Sequence, residues 1–294
     1  MMGMLIAKCY PTKLFLKAAD HTYVTCGKSG KSWGCWGGKQ GGTELTIGQG
    51  STKRADTIAE PNERAGIKRY LIDGVCHQAA NRILLPAKIL VSQARGYRLS
   101  SAVFGTYGKS PFNQYPDISG DLPACDTGEN IHSIKEEITF SKNENLKIIS
   151  ANLEIYNKYA KKSLLTSNNL EEFSNNFFNM QIEIFTEEVK IWVGEYISSQ
   201  QLLALQKAKE SLEHKLLIQD SSLLLSNSIS MPEFIRSFEK VTNEFQSDIA
   251  DILSDFEYAQ LLQLNRNERL SLIDPLSIDI AFGEGTYKKA FPES

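Results

Sequence analysis

The pattern of the sequence changes near residue 128, and this change constrains the fold more than any other feature. Residues 1–128 hold 17 of the 20 glycines and all five cysteines of the 294-residue chain. From residue 129 onward glycine is scarce, and apolar residues recur at steps of three and four, the spacing of an amphipathic helix. The sequence therefore predicts an α+β fold, with an α+β domain over residues 1–128 and an all-helical bundle domain over residues 129–294.

The helical part carries several apolar stripes. Its clearest helix begins after Ser230, because Ser230 and Glu233 form a capping-box pattern with Pro232 in the first turn. We interpret the aromatic stripes as bundle core rather than as a ligand site. The stripe of this last long helix consists of Phe234, Phe238, Val241, Phe245, Ile249, Ile252 and Phe256.

The first part of the chain contains short runs that favour β-strands. Residues 21–26 alternate, so that His21, Tyr23 and Thr25 share one face of a predicted strand that begins at His21. Further predicted strands cover residues 43–47, 89–91 and 101–104. Together these runs predict a small mixed or antiparallel sheet.

One cysteine lies where a helix is expected to begin. A short apolar run ends at Gly74, and the residues after it take helical spacing until Pro86, which places Cys76 in the first helical turn. Free N–H groups and the helix dipole stabilise an anion at that position, so it favours a reactive thiolate. The alternative is that Cys76 is a small buried apolar residue, as most intracellular cysteines are.

His21 and Cys76 form the one pair of residues that predicts chemistry. Thiol catalysis needs a thiolate, an imidazole beside it and a polar group that orients the imidazole. The backbone N–H of Cys76 would contribute to an oxyanion hole. Candidates for the orienting group are Glu44, Asp56 and Asn62, and the sequence does not choose among them.

The two motifs around these residues, Asp-His-Thr-Tyr-Val with His21 and Asp-Gly-Val-Cys-His-Gln with Cys76, resemble those of the circularly permuted papain-like cysteine enzymes. This superfamily includes lecithin retinol acyltransferase, and in it a strand histidine precedes a cysteine at a helix N-terminus. The resemblance covers roughly residues 14–90. It implies a papain-like catalytic domain in which Cys76 is the nucleophile and His21 the base. His77, which follows the cysteine directly, and the Trp/Gly-rich stretch after His21 depart from the general pattern.

Several further residues are candidates for substrate binding. Trp33 and Trp36 lie in a glycine-rich loop of the kind that lines pockets. Asn81 and Arg82, on the Cys76 helix, could contact an amide or carboxylate substrate, or could tie the helix to neighbouring loops. Paired Cys-x-x-Cys spacing is absent, so we predict neither a metal site nor a cofactor.

Charge and cysteine usage indicate partners and compartment. Residues 1–128 carry 16 Lys/Arg against 9 Asp/Glu, or +7, whereas residues 129–294 carry 16 against 26, or −10. The opposite signs suggest that the two parts face each other or a partner, and the overall −3 argues against nucleic acid as the main partner. We expect no membrane span, no disulfide framework and a cytoplasmic protein, with leaderless export left open.

These observations predict a cysteine-dependent hydrolase or acyltransferase that acts on an amide or ester through a Cys76 thioester, with His21 as base. Peptidases, amidases, deamidases and transglutaminases share this chemistry, and the substrate could be a peptide, a protein or a small molecule. The helical domain would cover the site, regulate it or bind a protein partner. The alternative is a non-enzymatic protein that binds a ligand through its first domain and assembles through its helices.

Overall fold

A computed structural model describes residues 2–10, 18–26, 31–34, 41–59, 65–109, 134–165, 170–225 and 228–293. These residues form a mixed α+β fold, as predicted, with one small sheet and helices that dominate after residue 134. Among the helices described, none is both long and apolar enough to cross a membrane.

The sheet has four antiparallel strands in the order β3-β2-β1-β4. In chain order they are β1 (Met2–Tyr10), β2 (His21–Cys26), β3 (Ser32–Gly34) and β4 (Thr43–Ser51). The predicted starts of β2 and β4 are confirmed, whereas neither β1 nor β3 was predicted as a strand. Trp33 therefore lies on β3 rather than in the predicted glycine-rich loop, because β3 pairs with β2. Register places Tyr10 of β1 opposite His21, the first residue of β2.

The described residues contain ten α-helices: α1 (Thr52–Ala59), α2 (Cys76–Leu84), α3 (Tyr97–Phe104), α4 (Ile134–Leu165), α5 (Leu170–Val193), α6 (Ser199–Leu224), α7 (Met231–Ile252), α8 (Asp255–Leu262), α9 (Pro275–Phe282) and α10 (Thr286–Ala290). The capping box of α7 is confirmed, because the Ser230 hydroxyl accepts from the Glu233 N–H and the Glu233 carboxylate accepts from the Ser230 N–H.

Helix α2 lies in the middle of the protein, with all nine of its residues buried. A buried helix with polar residues needs partners for them, and the loop after α3 supplies main-chain carbonyls. Gln78 donates to the carbonyl of residue 105 at 3.1 Å, Asn81 to that of residue 106 at 3.0 Å, and Arg82 to that of residue 107 at 2.6 Å. Because these side chains share one face of α2, the three bonds fix the rotation of the helix about its axis.

Two predicted strands are wrong. Residues 101–104 belong to α3, which begins after Gly96 and ends at Gly105, both with positive φ (83° and 78°). Every residue of α3 is buried, so tertiary packing outweighs the β propensity of its valine and phenylalanine. Residues 89–91 are also not a strand, and the N–H of Val91 donates to the Asn81 side chain at 2.9 Å.

The apolar core is continuous between the sheet part and the helical part. Phe104 of α3 stacks on Phe238 of α7 with ring centroids 5.9 Å apart, and Tyr97 meets Trp192 edge-on at 6.3 Å. The predicted boundary at residue 128 lies outside the described residues, and the division into two independently folding domains stays a prediction.

Three buried ionisable residues, Glu188, Lys209 and Glu213, and the partly buried Lys109 join α3 and the loop after it to the long helices, and we call these four the ion cluster. Lys209 donates to the carbonyls of residues 102 and 103 at 2.8 and 3.0 Å, where the last turn of α3 lacks helical partners. Glu213 contacts Lys209 and Lys109, each at 2.6 Å. Glu188 accepts from Ser101 at 2.8 Å, Thr106 at 2.5 Å and Asn152 at 3.2 Å.

Candidate functional site

Cys76 is the first residue of α2, as predicted, but the segment before it is a turn rather than a strand. Leu71 has a positive φ of 63°, and Asp73 folds back to accept from the N–H and guanidinium of Arg69 at 2.9 and 2.7 Å. Gly74 then takes φ +155°, with a Cβ position 3.1 Å from Gln78, so a side chain here would be strained. This turn delivers Cys76 to the helix start, where backbone N–H groups lack helical acceptors.

His21 stands at the start of β2 beside Cys76. The preceding residue, Asp20, is held on one side by Arg95, which accepts from the Asp20 N–H at 2.9 Å and donates its own N–H to the Asp20 carboxylate at 3.0 Å. On another side, the N–H of Ala19 donates to the carbonyl of Ser271 at 2.9 Å. Two distant segments of the chain, at Arg95 and at Ser271, therefore fix the position of the residues just before His21.

The carboxylate that the structure places next to His21 belongs to Asp274. Asp274 is the N-cap of α9 and accepts from the N–H groups of Leu276 and Ser277 at 3.2 and 3.3 Å. Its Oδ2 lies 3.4 Å from His21 Nδ1, and the Ser277 hydroxyl, which donates to the same carboxylate, is also 3.4 Å from that nitrogen. We call His21, Cys76, Asp274 and Ser277 the thiol site.

Electrostatics favour the charged forms of the imidazole and the carboxylate. Burial alone would lower the pKa of His21, but the charge of Cys76 and the contact with Asp274 outweigh it and raise this pKa to about 9. Burial alone would raise the pKa of Asp274, but hydrogen bonds with His21 and Ser277 and the charge of His21 lower it. An imidazolium between a sulfur and a carboxylate is the arrangement that nucleophilic thiol catalysis requires.

The thiol site is almost closed to solvent: His21 is 1% exposed, Cys76 4% and Asp274 7%. A substrate larger than a few atoms therefore requires the walls of the site to move. The Cys76 sulfur lies 3.8 Å from the main-chain carbonyl of Asp20, which is an acceptor for a protonated thiol.

Two of the three predicted orienting groups, Glu44 and Asp56, lie in the described structure, and their described contacts are with residues other than His21. Glu44 sits on β4, where it pairs with Lys8 at 3.9 Å. Asp56 accepts from Lys31 at 2.6 Å and from the indole N–H of Trp33 at 3.1 Å. Asn62 lies outside the described residues. Among the described residues, the carboxylate in contact with His21 is that of Asp274, which was not among the predicted orienting groups.

Three of the four predicted substrate-binding residues, Trp33, Asn81 and Arg82, are described in the structure. Trp33 is 9% exposed and bonds to Asp56, and Trp36 lies outside the described residues. Asn81 and Arg82 are buried and bond to loop carbonyls, so their described contacts follow the alternative in which they tie α2 to neighbouring loops.

The local sequence patterns around His21 and Cys76 do not point to Asp274 or Ser277. The sequence Asp-Pro-Leu-Ser does carry a signal for a helix start, with Asp274 as N-cap and Pro275 in the first turn. That signal predicts a cap, but nothing in it connects the cap to a histidine 253 positions earlier.

Comparison with known proteins gives no relative from which a function could be transferred. The sequence matches no family model, and neither curated proteins nor solved structures give a significant match.

Proposed function

We propose that this protein is a cysteine-dependent hydrolase or acyltransferase acting on an amide or ester, with Cys76 as nucleophile, His21 as acid and base, and Asp274 as the group that orients His21. The observation that carries the proposal is the contact of His21 Nδ1 with the Asp274 carboxylate at 3.4 Å, together with the interaction of the same ring with Cys76 that raises its pKa. The order of histidine before cysteine, which resembles the permuted papain-like enzymes, supports the same assignment.

The reaction would proceed through a thioester. The Cys76 thiolate attacks the carbonyl carbon, an S–C bond forms, and the C=O electron pair moves to oxygen, where N–H groups at the start of α2 stabilise it. The oxyanion collapses, the bond to the leaving amine or alcohol breaks, and the leaving group takes the proton from His21. Water or an amine then loses a proton to His21, bonds to the acyl carbon and releases Cys76 as thiolate.

Asp274 keeps the imidazole in one orientation during both steps. Its contact with Nδ1 makes that nitrogen the one that carries a fixed proton, so Nε2 is the nitrogen available for transfer to and from the reacting groups. Ser277, which donates to the same carboxylate, restrains Asp274 in turn.

The proposal is tested with an activated ester such as p-nitrophenyl acetate and the intact chain. The wild-type protein should release p-nitrophenol and carry an acetyl group on Cys76, located by mass spectrometry of peptides. Cys76→Ala and His21→Ala should each abolish acetylation of this site, and Asp274→Asn should slow it by roughly 10²-fold or more. Glu44→Gln is the matched control and should react like the wild type. Wild-type turnover that persists in Cys76→Ala would refute the assignment.

The depth of the site favours a second candidate, a non-enzymatic protein in which these residues form a buried structural cluster. Exposures of 1% for His21 and 4% for Cys76 are those of core residues. The same experiment separates the candidates, because a structural cluster yields no acetyl-Cys76 while its variants still lose stability.

A further inference from the structure

His77 follows the nucleophile directly, and neither proposed step uses it. Its ring is fully buried and meets the ring of Tyr97 edge-on, with centroids 6.2 Å apart. Nε2 lies 2.9 Å from the main-chain carbonyl of Asp20, and Nδ1 lies 2.8 Å from the Ser100 hydroxyl. A histidine with both ring nitrogens engaged in the core is not placed to exchange protons with a substrate.

The contacts of His77 define its tautomer. A carbonyl oxygen can only accept, so Nε2 must carry the proton that is donated to Asp20. Burial lowers the pKa of His77 to about 3, so the ring is neutral and Nδ1 has no proton. Nδ1 can therefore only accept, and the Ser100 hydroxyl, which lies 2.8 Å from both Nδ1 and the main-chain carbonyl of Tyr97, has one proton to share between these two acceptors. The Ser100 oxygen in turn accepts from Gln78 at 3.3 Å.

The carbonyl that His77 holds lies between the two reacting residues. Asp20 directly precedes His21, and its carbonyl oxygen is also the main-chain atom 3.8 Å from the Cys76 sulfur. The residue after the nucleophile is thus hydrogen-bonded to the residue before the base. This link connects the first turn of α2 to the start of β2 across the site.

We propose that His77 is a positioning residue, a neutral hydrogen-bond donor that holds the start of β2 against the start of α2 and so sets the separation of Cys76 and His21. The inference rests on the proposed function, because the separation matters only if the pair acts as thiolate and imidazolium. Without the His77 bond, β2 moves away from α2, the imidazolium stabilises the thiolate less, and Cys76 reacts more slowly near neutral pH.

Two substitutions separate the hydrogen bonds of the two ring nitrogens of His77. In His77→Gln the side-chain nitrogen takes the place of Nε2 and still donates to Asp20. In His77→Asn the side-chain oxygen takes the place of Nδ1 and still accepts from Ser100, but the bond to Asp20 is lost. Both variants remove the ring, so a general packing role predicts similar effects in both.

The measurement is alkylation of the full-length chain by iodoacetamide between about pH 5.5 and 9.5, with labelling of each cysteine quantified by mass spectrometry. Cys26, which is 4% exposed like Cys76, reports changes in the opening of the core. Relative to Cys26, the wild-type and His77→Gln rates for Cys76 should agree within about twofold. His77→Asn should slow Cys76 about tenfold and shift its pH–rate midpoint upward, as His21→Ala should do more strongly.

The outcomes are distinguishable. If His21→Ala slows Cys76 while His77→Asn matches the wild type, the proposed function stands and the positioning role of His77 is wrong. If wild-type Cys76 is alkylated no faster than Cys26, and His21→Ala leaves the Cys76 rate unchanged, the proposed function itself is wrong.

Should both His77 variants unfold, nitrogen NMR of the wild-type ring decides. The positioning role requires the Nε2–H tautomer at every pH from about 5 to 8, and an Nδ1–H tautomer or a charged ring there overturns it.

Discussion

The ion cluster and the thiol site are both buried and both contain ionisable side chains, yet their contacts differ. In the ion cluster the described distances run from 2.5 to 3.2 Å, and the three N–H groups of Lys209 meet three oxygen acceptors. In the thiol site the contacts between separate segments lie at 3.4 and 3.8 Å. The ion cluster is closely bonded and suited to holding helices together, whereas the described contacts of the thiol site are longer.

The largest loss of stability is expected for Lys209→Met, which tests whether the ion cluster holds the helices together. Removing a buried cation from this cluster leaves the Glu213 carboxylate short of one partner and two α3 carbonyls without a donor, so the free energy of unfolding should fall by about 3–5 kcal/mol. Urea unfolding measures it. Lys215→Met is the matched control, because Lys215 and Glu244 are 42% and 40% exposed, and it should cost less than about 1 kcal/mol. Equal losses of unfolding free energy in Lys209→Met and Lys215→Met would contradict a structural role for the ion cluster.

Glu188→Gln tests the same cluster with a side chain of nearly the same shape. Ser101 and Thr106 both donate to this carboxylate, and an amide offers only one acceptor atom, so one buried hydroxyl loses its acceptor. The expected loss is about 1–3 kcal/mol in the free energy of unfolding. Glu183→Gln, at a carboxylate 32% exposed, should change stability by less than about 1 kcal/mol. A gain in stability for Glu188→Gln would mean that burial of the charge outweighs its hydrogen bonds.

Because of His77, next to the thiol site, the free energy of unfolding should depend on pH. Its pKa is lowered from 6.5 to about 3 in the folded chain, so in that window only the unfolded chain binds the proton and stability falls as the pH falls. Between about pH 6.5 and 4.5 the wild type should lose up to about 1.4 kcal/mol per pH unit more than His77→Gln. The matched control is His214→Gln, the same change of side chain at an exposed position. Parallel slopes for wild type and His77→Gln would show that His77 is protonated in the fold.

Asp274→Asn should have the smallest effect on stability, and this is what sets the thiol site apart. Asparagine caps a helix about as well as aspartate, and His21 can lose its proton when its partner loses its charge, so the cost should be about 1 kcal/mol or less. The same variant should slow acetylation of Cys76 strongly. A loss of about 3 kcal/mol or more in urea unfolding would make Asp274 a structural ion like Lys209.

Sequence patterns predicted the elements that carry Cys76 and His21. Alternation placed His21 at a strand start, helical spacing after Gly74 placed Cys76 at a helix start, and the structure confirms both. These signals are local, since each depends on residues within one turn or one strand.

Other features depend on contacts that local patterns do not contain. Residues 101–104 have β propensity but are helical because the core surrounds α3 on every side. Glu44 and Asp56 are close to His21 in sequence, whereas Asp274 reaches it through the pairing of Ala18 with Ser271, a contact 253 positions apart. Such pairings follow from packing of the whole chain rather than from its local periodicity.

The distribution of the thiol site along the chain has a consequence for protein synthesis. Asp274 follows Cys76 by 198 residues, so at the usual 5–20 residues per second a ribosome makes it roughly 10–40 s after the thiol. During that interval the nascent chain carries the thiol and the imidazole without the carboxylate and without the Ser271 strand contact. On the proposed function, Cys76 therefore reacts slowly while the unfolded segments of its own chain, with their exposed amide bonds, are close to it.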